Sequence, residues 1–133
     1  MLSLARFLLL VAAFPFILGC VIRDPFPLNT RHVKGNYRLK QEDAVTYYLV
    51  NSAHIGNGGG AIDGTVIRLG WDKQRILVER HADFRGDLDG FMVIDLKQQT
   101  MRGPLSAEEV ATKADLSRIK LMPPKEAWEV LGH

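Results

Sequence analysis

The side chains that could carry chemistry are few in this chain of 133 residues. Its single cysteine, Cys20, stands directly after an apolar run from Phe7 to Leu18 and Gly19. One thiol excludes an intrachain disulfide framework and any Cys-cluster metal site. The four histidines, His32, His54, His81 and His133, show no His-x-x-x-His or His-Glu-x-x-His spacing. Of the serines Ser3, Ser52, Ser106 and Ser117, none sits in a Gly-x-Ser-x-Gly elbow. Ser52-Ala53-His54 has the residue types of nucleophilic catalysis, but neighbours along one strand end do not make a triad. Glu79 with Asp83 or Asp87 offers a carboxylate pair for glycoside chemistry, with nothing in the spacing to raise it above surface charge.

Two loops invite ligand readings. The Gly-rich stretch 56–60 lacks the Gly-x-x-x-x-Gly-Lys-Ser/Thr pattern and the strand-to-helix setting of a phosphate loop, and reads as a flexible connection. Asp87-Leu88-Asp89-Gly90 resembles the middle of a calcium loop but fails at two anchoring positions. With Gly90 as the turn glycine, position one is Arg85 and position twelve is Leu96, where oxygen ligands are needed. It reads as a solvated turn in which Arg85 neutralises its neighbours. No metal and no cofactor is implied. A net charge of +2, from 17 Lys+Arg against 15 Asp+Glu interspersed along the chain, argues against nucleic acid as a partner.

The apolar residues are unevenly spread. Residues 1–19 hold 15 of them, and the other 114 positions hold 47, about 41%, an ordinary share for a folded domain. The run Phe7 to Leu18 is 12 residues long, short of the ~20 that span a bilayer core, and Pro15 interrupts it. With Arg6 before it, the segment reads as a secretory signal peptide. Its end, Ile17-Leu18-Gly19-Cys20, resembles the lipobox of bacterial lipoproteins. The resemblance implies recognition of Ile17, Leu18 and Gly19 by the signal peptidase and cleavage after Gly19. It also implies diacylglycerol on the Cys20 thiol and acylation (palmitate-type) of the new amino group. Val21, rather than Asp, follows the cysteine, which in enterobacteria-like sorting implies the outer membrane, facing the periplasm. The expected organisation is a signal peptide over 1–19, a lipidated cysteine and tether over 20–33, and one domain over 34–133. The tether reading rests on Pro25 and Pro27, which favour extended chain. Its alternative is a strap with Phe26 and Leu28 packed on the domain.

The elements that must position any site read as strands first and helix last. Tyr37 and Leu39 alternate with Asn36, Arg38 and Lys40. Ala44 to Asn51, Gly64 to Trp71, Gln74 to His81, Phe91 to Leu96 and Thr100 to Gly103 follow as further strands. Short turns at 71–74 and 97–99 imply antiparallel pairing. Ser106 and Glu109 form a capping box for a helix running to about Leu116 or Ile119, with Val110, Ala111 and Ala114 on its apolar face. Pro124 to Leu131 offers a last turn or two, with Trp128 and Leu131 packing back and Gly132 as the stop. The expected fold is α+β: an antiparallel meander of five to six strands with one C-terminal helix packed on it. Tyr47, Tyr48 and Trp71 are candidate surface or core aromatics, and Tyr47 and Tyr48 must point to opposite faces.

The segment Gly70-Trp71-Asp72, Ile76-Leu77-Val78, Phe91 to Lys97, Gly103 to Ser106 and Glu109 resembles small bacterial envelope lipoproteins of uncharacterised function. In these a Val-Ile-Asp strand end leads into a Gly-Pro-Leu-Ser helix start. The resemblance and the anchor together imply a lipid-anchored envelope protein, more a non-enzymatic binding or structural module than an enzyme. Its expected partners are the membrane, through covalent lipid, and another envelope protein. The alternative is a periplasmic enzyme, or an inhibitor of an enzyme or toxin.

Overall fold

A computed structural model of the chain describes residues 28–54, 61–83 and 86–132, the side chain of His54 excepted. The fold is α+β, with two antiparallel sheets and three short helices. The first sheet has the order β1-β2-β3, from Thr30–Lys34, Tyr37–Gln41 and Tyr47–Asn51. The second has the order β4-β5-β6-β7, from Thr65–Trp71, Arg75–His81, Gly90–Asp95 and Thr100–Leu105. A short 3₁₀ turn, Ser52–His54, follows β3.

The expected single meander of five to six strands is therefore two sheets, and the composition of β5 and β6 gives the reason. Ile76-Leu77-Val78 and Phe91-Met92-Val93-Ile94 are buried without interruption. Because successive side chains alternate between faces, such runs need cover on both. Ile76, Val78, Met92 and Ile94 share one core with Leu39, Tyr47 and Leu49 of the smaller sheet. Leu77, Phe91 and Val93 share a second core with Val110, Leu116 and Ile119. One helix on one sheet would have left the first of these faces in water, at a cost of roughly 1.5–3 kcal/mol per large side chain.

The smaller sheet reaches back into the segment read as a tether. Residues 30–33 belong to β1, whose Thr30, Arg31 and His32 pair with Lys40, Leu39 and Arg38. Val33 is buried in the core. Arg38 is also buried, and donates from Nε to Thr30 Oγ1 at 3.0 Å and from Nη2 to Thr30 O at 3.3 Å. Leu28, a residue of the alternative strap, is fully exposed. Phe26 lies outside the described residues.

The helical region also departs from the expected single helix. Helix α1, Ala107–Thr112, starts at Ser106, whose Oγ accepts from the Glu109 amide at 3.1 Å. The Glu109 carboxylate in turn accepts from the Ser106 amide at 2.7 Å. Lys113 is extended, and helix α2, Ala114–Ser117, starts afresh. At about 100° per residue, an unbroken helix would set Leu116 about 240° and Ile119 about 180° around from Val110. The break lets all three enter the same core, while Ala111 and Ala114, expected on the apolar face, are exposed.

After α2 the chain runs against β4. Leu69 and Met122 exchange both amide hydrogen bonds, at 2.8 and 2.9 Å. Gly70 permits this approach: a Cβ there would stand 2.4 Å from Lys120 O. Helix α3, Pro124–Leu131, has Pro124 in its first turn and ends at Gly132, with φ 64°. Ala127 is buried, and Trp128 and Leu131 pack on the larger core as expected. The Trp128 ring lies 6.1 Å from Tyr47, and the Arg31 guanidinium sits over it at 4.2 Å while donating to Trp128 O. No helix among the described residues is long and apolar enough to cross a membrane.

Candidate functional site

Ile17, Leu18, Gly19 and Cys20 lie outside the described residues, as do the Gly-rich stretch 56–60, Arg85, His133 and the side chain of His54. The other sequence candidates fall at several separate places.

The carboxylates gather where β4 begins and β5 ends. Asp63 O accepts from Arg80 Nη1 at 3.0 Å, and Leu88 O accepts from Arg80 Nη2 at 3.3 Å. Arg80 is buried, with its Nε unpaired. The buried Oδ2 of Asp63 has no partner among the described residues. Burial pushes the Asp63 carboxyl above its ordinary range, and a side-chain hydrogen bond and repulsion from Asp87 add to this against the pull of Arg80. Next to it, Asp89 closes the loop. Its Oδ1 accepts from the Ala82 amide at 2.8 Å and its Oδ2 meets His81 Nδ1 at 3.1 Å. These contacts, the Ala82 amide foremost, hold the Asp89 carboxyl below its ordinary range. The turn read from Asp87 to Gly90 is thus tied back to β5 by Asp89. No group of three or more His, Cys, Asp or Glu among the described residues is placed to hold a metal.

Glu79 does not join Asp83 or Asp87. Its carboxylate pairs with Arg68, directly across on β4, and that guanidinium lies 5.7 Å from the Phe91 ring. Arg80, the neighbour that approaches Asp63, points to the opposite face. Ser106 is committed to its cap, and Ser117 Oγ donates to Ala114 O at 3.4 Å. His32 Nε2 is 2.9 Å from Gly35 O. Tyr47 is buried, with its Oη accepting from Gln41 Nε2 at 3.1 Å, whereas Tyr48 is half-buried on the other face. Trp71 is half-buried against the larger core.

A concavity on the described surface lies elsewhere, at the open end of the face covered by α1 and α2. It is a depression of about 180 Å³ lined by Arg75, Val93, Asp95, Gln98, Thr100 and Arg102. Three registers assemble it: Arg75 opposite Asp95, Asp95 opposite Thr100, and Val93 opposite Arg102. Asp95 Oδ1 holds the β6–β7 turn by accepting from the Lys97 and Gln98 amides at 3.0 and 2.9 Å. Arg75 Nη2 meets Asp115 Oδ2 of α2 at 3.4 Å, a long contact that leaves most of the guanidinium's donors available. Arg102, on edge strand β7, is exposed, and its side chain bonds no described residue. The depression is smaller than the ~300–1,000 Å³ usual for drug-sized ligands, and its charge suits a compact polar group.

Reading the sequence did not single out Arg75 or Arg102. The available signal was the turn at 97–99, which fixes the β6–β7 register and so places Arg102, while Arg75, 27 positions earlier, is brought to the same depression by the β5–β6 register. Compared with known proteins, the chain matches no family model, no curated protein and no solved structure.

Proposed function

We propose that the chain is a lipid-anchored protein of the bacterial cell envelope, held by acylated Cys20, whose folded part is a binding or structural module. The observation that carries this reading is that the single cysteine stands at the end of Ile17-Leu18-Gly19-Cys20, behind an apolar run of signal-peptide length. Two or more acyl chains give stable anchoring where one gives only marginal binding. The first strand begins at Thr30. The nine residues between it and Cys20 reach at most about 30 Å when extended. The folded part is therefore held close to the bilayer, in this reading the outer membrane on its periplasmic side.

Ser106 caps a helix, Glu79 pairs with Arg68, and Asp89 ties a loop, so these three candidates for chemistry have structural tasks. The partner in this reading is another envelope component.

Expression in a bacterial host with labelled palmitate tests the anchor. The wild-type protein should take up label and stay with membranes through a high-salt wash, while Cys20→Ser should be unlabelled and released. A Cys20→Ser protein that remains with membranes in high salt would overturn the proposal.

A further inference from the structure

The depression between β5, β6 and β7 sets two guanidinium groups around one small space. Arg75 approaches from the central strand and is partly shielded, with its side chain 22% exposed. Arg102 approaches from the edge and has no partner among the described residues. Val93 provides an apolar lining, and Gln98 and Thr100 add neutral polar groups at the rim.

We infer that this depression is a binding site for a carboxylate group on a small ligand or peptide end, with Arg102 as the principal contact and Arg75 as the second. Guanidinium forks match carboxylate geometry with two parallel N–H···O bonds. The nearby charges select a singly charged group. Asp95 lies in the lining and Asp115 engages Arg75, so the two arginines face two carboxylates and little net positive charge remains for a doubly charged phosphate. Asp115 also acts as an internal competitor for Arg75, which the ligand partly displaces. The site does not depend on the anchor, because every residue in it lies in the described fold.

The test uses the full chain in non-ionic detergent micelles, titrated with acetate, inorganic phosphate or chloride at constant ionic strength. Binding is read from the arginine side-chain Nε–Hε NMR signals. Acetate should give saturable shifts at Arg75 and Arg102, and chloride only small linear ones. Arg102→Gln should weaken acetate binding about tenfold or more, the worth of a hydrogen bond to a charged group. Arg102→Lys, which keeps the charge but loses the fork, should fall between that variant and wild type. Asp115→Asn should tighten acetate binding about two- to fivefold by freeing Arg75 from an exposed ion pair. A purely structural role for these residues would not produce that opposite sign. Acetate shifts that do not saturate, or that survive unchanged in Arg102→Gln, would overturn the site. Phosphate binding tighter than acetate would overturn the assignment to carboxylate, and weaker or unchanged binding in Asp115→Asn would overturn the competition.

Discussion

Replacing Gly70 by alanine tests how the helical segment is held to the sheet. Gly70 lies on β4, on the face toward α2, opposite Leu77. A Cβ added there would stand 2.4 Å from Lys120 O and 2.8 Å from Ile119 Cγ2. Lys120 must retreat by about 0.6 Å to reach even the 3.0 Å floor of real Cβ contacts. That movement pulls on the adjoining Leu69–Met122 pair, whose two amide bonds are 2.8 and 2.9 Å long. Overpacking of this kind costs about 1–3 kcal/mol, and each weakened hydrogen bond adds about 0.5–1.5 kcal/mol. We expect a loss near 3 kcal/mol, read as a fall of roughly 10–20 °C in Tm for a domain of this size. The assay is thermal unfolding by circular dichroism, with Gly35→Ala as a contrast. Gly35, unlike Gly70, has a positive φ, 55°, and a Cβ there meets only Leu96 Cδ2 at 3.5 Å, so its cost is backbone strain of about 1 kcal/mol. A Gly70→Ala protein that melts as high as Gly35→Ala would refute the close approach of residues 119–122 to β4.

Ser106→Ala should cost about 1 kcal/mol in urea unfolding with an unchanged m-value, because one amide in the first turn of α1 loses its acceptor. Two aspartates should shift the pH dependence of stability in opposite directions. The folded-state pKa of Asp63 is raised above 3.8, so the stabilisation it gives is present in acid and is lost as pH rises through the raised value. Asp63→Asn should therefore be at least as stable as wild type at neutral pH and lose that advantage in acid. The folded-state pKa of Asp89 is lowered below 3.8, so its stabilisation is present at neutral pH and is lost as pH falls through the lowered value. Asp89→Asn should be the less stable variant at neutral pH and converge on wild type in acid. Denaturant midpoints across the acid-to-neutral range check both signs, and parallel profiles would contradict them.

The strand positions after Tyr37 were legible in the sequence because each carries β-branched or aromatic residues between turn signals. The capping box of α1 and the proline and glycine at the two ends of α3 were equally plain. The two-sheet division was also written there, in the unbroken apolar runs of β5 and β6, but such runs fit a buried strand of one sheet as well as a strand covered on both sides. The strand β1 was hidden by composition. In Thr30-Arg-His-Val-Lys34 only Val33 is apolar, and the strand is held by contacts that no periodicity reports: Thr30 against the buried Arg38, and Arg31 against Trp128 nearly a hundred residues away. The break at Lys113 was hidden for a related reason. Helix propensity runs through it, and only the need to bring Leu116 and Ile119 under the same sheet face as Val110 interrupts it.

The candidate site shows a similar division between local and distant causes. Short polar side chains beside strand ends find unpaired amides within two or three residues, because turns leave those amides outside the sheet ladders. Asp43 bonds the amides of Val45 and Thr46, Asp72 those of Gln74 and Arg75, and Asp95 those of Lys97 and Gln98. The residues that a motif search notices first, Asp and Ser near loops, are therefore the ones that turns and caps take up. An arginine on a strand face has only donors and no local amide to satisfy. It must find an acceptor across the sheet or from outside. Arg68 finds Glu79, Arg80 finds two carbonyls, and Arg75 finds Asp115 at long range. Arg102, at the edge where no further strand follows, finds none among the described residues. In the sequence its charge is averaged into a mixed surface, and only the strand register reveals that it stands beside a second arginine over a shared depression.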